Sequence, residues 1–86
     1  MNMFTRKKDK APPLVAVNHA GSLSVPGEFA TVPCNVLRMS ATAAELRLDR
    51  PRQLPSAFRL TIRGEARSRS CQLVSAERRS VQVRFA

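Results

Sequence analysis

Cys34-Asn35-Val36-Leu37-Arg38-Met39-Ser40-Ala41-Thr42-Ala43-Ala44-Glu45-Leu46-Arg47-Leu48 is the stretch on which the reading of this chain turns. Cys34 and Val36 alternate with Asn35, and Leu46 and Leu48 alternate with Glu45 and Arg47. Apolar and polar residues alternating with period two mark a half-buried strand. Between the two runs, Ser40 to Ala44 holds only small and hydroxylated side chains. The pattern predicts two strands joined by a connection whose backbone stays accessible, a natural place for a ligand or partner. The same residues also suit a tight strand connection in which Ser40 hydrogen-bonds its own backbone.

Working outward, the alternation recurs. Ala57-Phe58-Arg59-Leu60-Thr61-Ile62-Arg63 is its cleanest instance, with Phe58, Leu60 and Ile62 predicted inward. Cys71 to Ser75 and Val81 to Phe85 read as a fifth and a sixth strand, and Gly21 to Val25 as the first. The second runs from about Ala30 to Met39, with Pro33 marking an edge or a bulge near its start. Pro26-Gly27, Asp49-Arg50-Pro51, Gly64-Glu65 and Glu77-Arg78-Arg79 are the turn signals between strands. Six short strands with almost no helical period predict an all-β barrel or sandwich. Their connections are too short for crossover helices, so neighbours are antiparallel.

Ahead of the strands, Arg6-Lys7-Lys8-Asp9-Lys10 forms a basic cluster, followed by Pro12-Pro13. The proline pair breaks helix and favours extended chain. Residues 1–18 therefore read as a flexible basic arm or linker, and 19–86 as the folded domain. The whole chain of 86 residues has room for one small core. Fifteen Lys plus Arg against six Asp plus Glu leave a net charge of +9, which favours phosphate-bearing or acidic partners. No apolar run is long enough to span a membrane, and the basic opening lacks the apolar core of a signal peptide. A cytoplasmic location is the expectation. Cys34 and Cys71 fit no metal spacing and read as free, buried thiols. His19, the only histidine, reads as a loop residue.

The outward positions carry Arg47, Arg59, Arg63, Arg69 and Arg84. A basic stripe on a small barrel suits nucleic acid, but such surfaces also present aromatic platforms for base stacking. With no Tyr or Trp, and with Phe58 and Phe85 predicted inward, only Phe4 and Phe29 are left. Nucleic-acid binding is the weaker reading on that ground. No nucleophile motif, phosphate-cradling glycine loop or paired carboxylates are present, so the chain reads as a non-enzyme without a metal.

Taken in order, these segments resemble the PilZ domain, a family of small β-barrels best known as cyclic di-GMP receptors. Cys34 to Leu46 is similar to the family's segment around its Asp/Asn-x-Ser-x-x-Gly motif. Pro55 to Ile62 resembles the following strand, and Arg69 to Ser75 with Ser80 to Phe85 resembles the closing pair. The family's Arg-x-x-x-Arg signature lies ahead of the first strand, where this chain has Arg6-Lys7-Lys8-Asp9-Lys10. The resemblance implies a six-stranded antiparallel barrel with a basic N-terminal arm, a regulatory role, and cyclic di-GMP as candidate ligand.

It also implies a site at Arg6, Lys10, Arg38, Ser40 and Ala43. Ser40 stands where the family has Ser, Arg38 where it has Asp or Asn, Ala43 where it has Gly, and Lys10 where it has the second Arg. Arg38 exchanges an acceptor for a donor-only cation. Lys10 is a point charge that lacks the guanidinium's bidentate grip and stacking plane. Ala43 is strained if its position needs a positive φ, at a cost of about 1–2 kcal/mol. Two expectations follow: a regulatory domain with lost or weakened cyclic di-GMP binding that acts on an acidic protein partner, or a working receptor that uses Arg6, Lys7, Lys8, Lys10 and Arg38.

Overall fold

The computed structural model describes residues 13–86. Among them are six strands and no helix: β1 (Val15–Ser24), β2 (Val32–Met39), β3 (Ala43–Leu48), β4 (Ala57–Ile62), β5 (Arg69–Glu77) and β6 (Ser80–Phe85). With no helix described, none is long and apolar enough to cross a membrane. Every strand pair is antiparallel, and the order β1-β2-β3-β6-β5-β4 closes on itself through a β1–β4 ladder.

The alternation drives the closure. In β4 the burial pattern is strictly alternating, with Phe58, Leu60 and Ile62 inside. Leu23, Cys34, Val36, Ala44, Leu46, Leu48, Cys71, Val81 and Val83 join them in one core, and no buried polar side chain is found among the described residues. Each fully buried Leu or Val in such a core contributes roughly 1.5–3 kcal/mol relative to exposure.

β1 is longer than the pattern predicts. It begins at Val15, within the stretch read as an arm, and His19 lies on it rather than in a loop. Its register slips between Ala16 and His19, which breaks the simple alternation that would have announced it. Gly21 sits where β1 pairs with Cys34 on one side and Ile62 on the other. A Cβ there would lie 2.9 Å from the Thr61 carbonyl oxygen, so the seam that closes the barrel requires glycine.

Pro33 lies at a local edge and not at a bulge. It pairs with Ser22 of β1, while β3 ends at Leu48 opposite the neighbouring Cys34, so its β3 side has no strand partner. The bulges lie elsewhere, at Leu37 in β2 and Val74 in β5. The second moves Ser75 outward and puts Ala76 opposite buried Val81, against the simple alternation of Cys71, Leu73 and Ser75.

Turn chemistry follows the sequence closely. At Val25-Pro26-Gly27-Glu28 the Glu28 N–H donates to the Val25 carbonyl at 3.0 Å, and Gly27 has φ +86. Proline at the second position and glycine with positive φ at the third make a type II turn. Gly64 occupies the corresponding place in the β4–β5 turn, closed by Glu65 N–H to Ile62 carbonyl at 2.9 Å. Strand direction alternates along the chain, which puts the start of β1, the β2–β3 hairpin, the β4–β5 turn and the end of β6 at one end of the barrel. The β1–β2 connection, residues 49–56 and the β5–β6 hairpin lie at the other.

Candidate functional site

The β2–β3 hairpin, which carries Arg38, Ser40 and Ala43, is held by its own short-range bonds. Ser40 N–H donates to the Ala43 carbonyl at 2.8 Å. The Ser40 hydroxyl oxygen accepts from the backbone N–H groups of Thr42 and Ala43, both at 3.2 Å, and lies 3.4 Å from the Thr42 hydroxyl. A serine oxygen in this position satisfies turn donors that strand pairing leaves over. Its lone pairs are therefore occupied before any ligand arrives.

Ala43 is the first residue of β3, paired with Arg84 of β6. Among the described non-glycine residues only Arg78 has a positive φ, so Ala43 sits in ordinary strand geometry and its methyl group carries no backbone strain. The strain considered from the sequence does not arise.

Arg38 is exposed on β2, opposite Glu45 of β3 and Ala16 of β1. Its Nε lies 3.7 Å from Glu45 Oε1, an ion pair too long for a hydrogen bond and open to water. Exposed pairs of this kind contribute about 0–1 kcal/mol, so the guanidinium is easily released to another anion. Val15, the first residue of β1, pairs with Met39. The backbone that follows residues 1–12 therefore joins the barrel beside Arg38. Arg6 and Lys10 themselves lie outside the described residues.

The bulge at Leu37 opens the outer wall next to this hairpin. An open groove runs there along Leu37, Glu45 and Arg47 to Glu77, Arg78, Arg79 and Ser80 of the β5–β6 hairpin. Its rim mixes both charges around a half-buried leucine. Alternation from Cys34 and Val36 already puts Leu37 outward; what it could not give is that Arg38 is outward too, because the bulge has no signal in residue type.

Arg69, predicted outward, belongs elsewhere. It is half-buried, its guanidinium carbon 4.9 Å from the centre of the Phe85 ring, and it grips Glu65 through bonds of 3.1 and 3.0 Å. The hydrogen bond from Arg69 holds the Glu65 carboxyl below the usual carboxylate range. At the far end of the barrel Arg52 grips Glu28 in the same bidentate way, at 2.8 and 3.2 Å, and likewise depresses its pKa. Phe29, beside that pair, is fully exposed. Both cysteines are free and buried, and burial pushes each thiol up to about 11.

In comparisons with known proteins, no family model matches this chain, and no curated protein matches it.

Proposed function

We propose that this chain is a PilZ-like regulatory domain whose cyclic di-GMP site is weakened and which acts by contacting a protein partner. The observation that carries the reading is the chemistry of the β2–β3 hairpin. Ser40 spends its acceptor capacity on Thr42 and Ala43. Arg38 offers only donors and faces Glu45. A guanine edge, which presents donors of its own, finds no free acceptor in that pair. The groove from Leu37 to Ser80, one leucine among side chains of both charges, is the surface such a module would present to a protein.

One observation favours the second reading, a receptor for cyclic di-GMP or another anionic nucleotide. β1 begins opposite Met39, so the described backbone that follows residues 1–12, the sequence of Arg6, Lys7, Lys8 and Lys10, joins the barrel beside Arg38. Phosphate attraction to that basic set would be strongly salt-dependent.

Calorimetric titration of cyclic di-GMP at low and at physiological salt separates the two, run on the wild type, Arg6→Ala, and the double variant Arg38→Asp/Ala43→Gly. The first reading expects no heat from the wild type at physiological salt, with binding recovered in the double variant. Wild-type binding at physiological salt that disappears in Arg6→Ala would establish the receptor instead.

A further inference from the structure

On the wall of the barrel opposite the β2–β3 hairpin, β4 and β5 carry a surface of a different character. Arg59 leaves the outer face of β4, and its guanidinium is held by two hydroxyls, one just ahead of β5 and one on it. Its Nε donates to Ser68 Oγ at 2.8 Å and its Nη1 to Ser70 Oγ at 3.1 Å. The direction of these bonds decides what the cluster offers. A guanidinium can only donate, so both serine oxygens accept here and their O–H groups remain available as donors. Arg59 keeps three further N–H groups.

The surroundings add hydroxyls, and Ala86, whose N–H donates to the Ser70 carbonyl at 2.9 Å, borders the same hollow. Ser24 and Arg59 are cross-strand partners, as are Ser22 and Thr61, and Arg59 and Ser70. Gln72 continues the outer face of β5. Glu65, the acidic residue of the β4–β5 turn, is gripped by Arg69 at both oxygens. A general solubilising surface would mix Lys with Arg and both signs of charge. Residues 13–86 instead contain eleven Arg and no Lys.

We infer that Arg59, Ser68 and Ser70 form an oxyanion site that takes a phosphate group. A guanidinium held in place by two hydroxyls, with its remaining N–H groups and the serine O–H groups as donors, is the chemistry that recognises a phosphate oxygen. The source of the group is either free phosphate or the backbone of a polynucleotide. The site needs no aromatic platform, so it is compatible with the shortage of exposed aromatics. It does not rest on the hairpin reading, because it lies on the opposite wall.

The test is nuclear magnetic resonance on the ¹⁵N-labelled full chain, following backbone amides and arginine Nε–H groups. One arm titrates inorganic phosphate against chloride at matched ionic strength, and the other a short single-stranded oligothymidylate. The Arg59 Nε–H and the Ser68 and Ser70 amides should move with phosphate and stay still with chloride. Arg59→Gln and the double variant Ser68→Ala/Ser70→Ala should each weaken binding by about tenfold, the loss expected of charge-assisted hydrogen bonds. Arg59→Lys keeps the charge and should still bind less well, because it loses the fork. All three positions are at the surface, and each variant's own spectrum reports that the barrel is intact. Oligothymidylate moving the same resonances at lower concentration than phosphate assigns the group to a polynucleotide; phosphate acting alone assigns it to a small ligand. Unmoved Arg59, Ser68 and Ser70 resonances, or equal shifts at Arg47, Arg63 and Arg84, overturn the site.

Discussion

Arg78 is held with φ 57, the left-handed region that a side chain with a Cβ adopts at a cost of about 1–2 kcal/mol. It sits at the tip of the β5–β6 hairpin, where Glu77 pairs with Ser80 and only two residues make the connection. So short a loop needs positive φ, and glycine or asparagine is the usual supplier. The sequence Glu77-Arg78-Arg79 marked the turn but not its strain, because charge signals exposure and says nothing of φ. The chain keeps arginine there, on the rim of the Leu37 groove. Arg78→Gly should raise stability by about 1 kcal/mol in urea unfolding, whereas Arg78→Ala, which removes the same charge without relieving the backbone, should not. Equal effects from the two would mean that charge repulsion, not backbone strain, sets the energy at this tip. At Gly21 the logic reverses, since the residue has no turn to make. Gly21→Ala should cost about 1–3 kcal/mol by forcing β1 away from the Thr61 carbonyl.

The β2–β3 hairpin shows what residue pattern can and cannot convey about an element. Its two strands and its small-residue connection were legible from Cys34, Val36, Leu46 and Leu48 alone, since burying one face of each leaves little choice of register. The role of Ser40 was legible only as alternatives, a ligand acceptor or a backbone acceptor, and the structure gives it the second. Ser40→Ala should therefore destabilise the barrel by about 0.5–1.5 kcal/mol, with the Ala43 amide losing protection from hydrogen exchange. No change in either would mean that water replaces the hydroxyl at no cost. Bulges were the illegible part of β2 and β5. Leu37 and Val74 are apolar residues in apolar runs, and nothing in their type announces that an extra residue has entered the ladder. The Arg59 cluster was hidden for a related reason: Ser68 and Ser70 lie nine and eleven positions from Arg59 in sequence, and only the β4–β5 register brings the three together.

Closure belongs to the whole molecule, and it explains the chemistry of the thiols. Six alternating strands left barrel and sandwich open, because the β1–β4 and β3–β6 pairings join strands that are not consecutive. Once closed, the barrel encloses Cys34 and Cys71 in one core. Burial is the largest cause raising each thiol, and for Cys34 the proximity of Cys71 adds to it. Each group's folded pKa, about 11, lies above the ordinary value of 9.0. Stability from keeping the thiols neutral is therefore complete below pH 9 and is lost as pH rises through about 11, because the unfolded chain ionises first. The sequence makes this window unusually clean. There is no tyrosine, arginine stays charged throughout, and the only lysines, Lys7, Lys8 and Lys10, precede the barrel. Urea unfolding followed from pH 8 to 11 should show the wild type losing stability steeply with pH. The double variant Cys34→Ala/Cys71→Ala should start lower at neutral pH, from the volume it deletes, and fall much less. Parallel decline of the two proteins would place the alkaline transition outside the core and remove the thiols from the account.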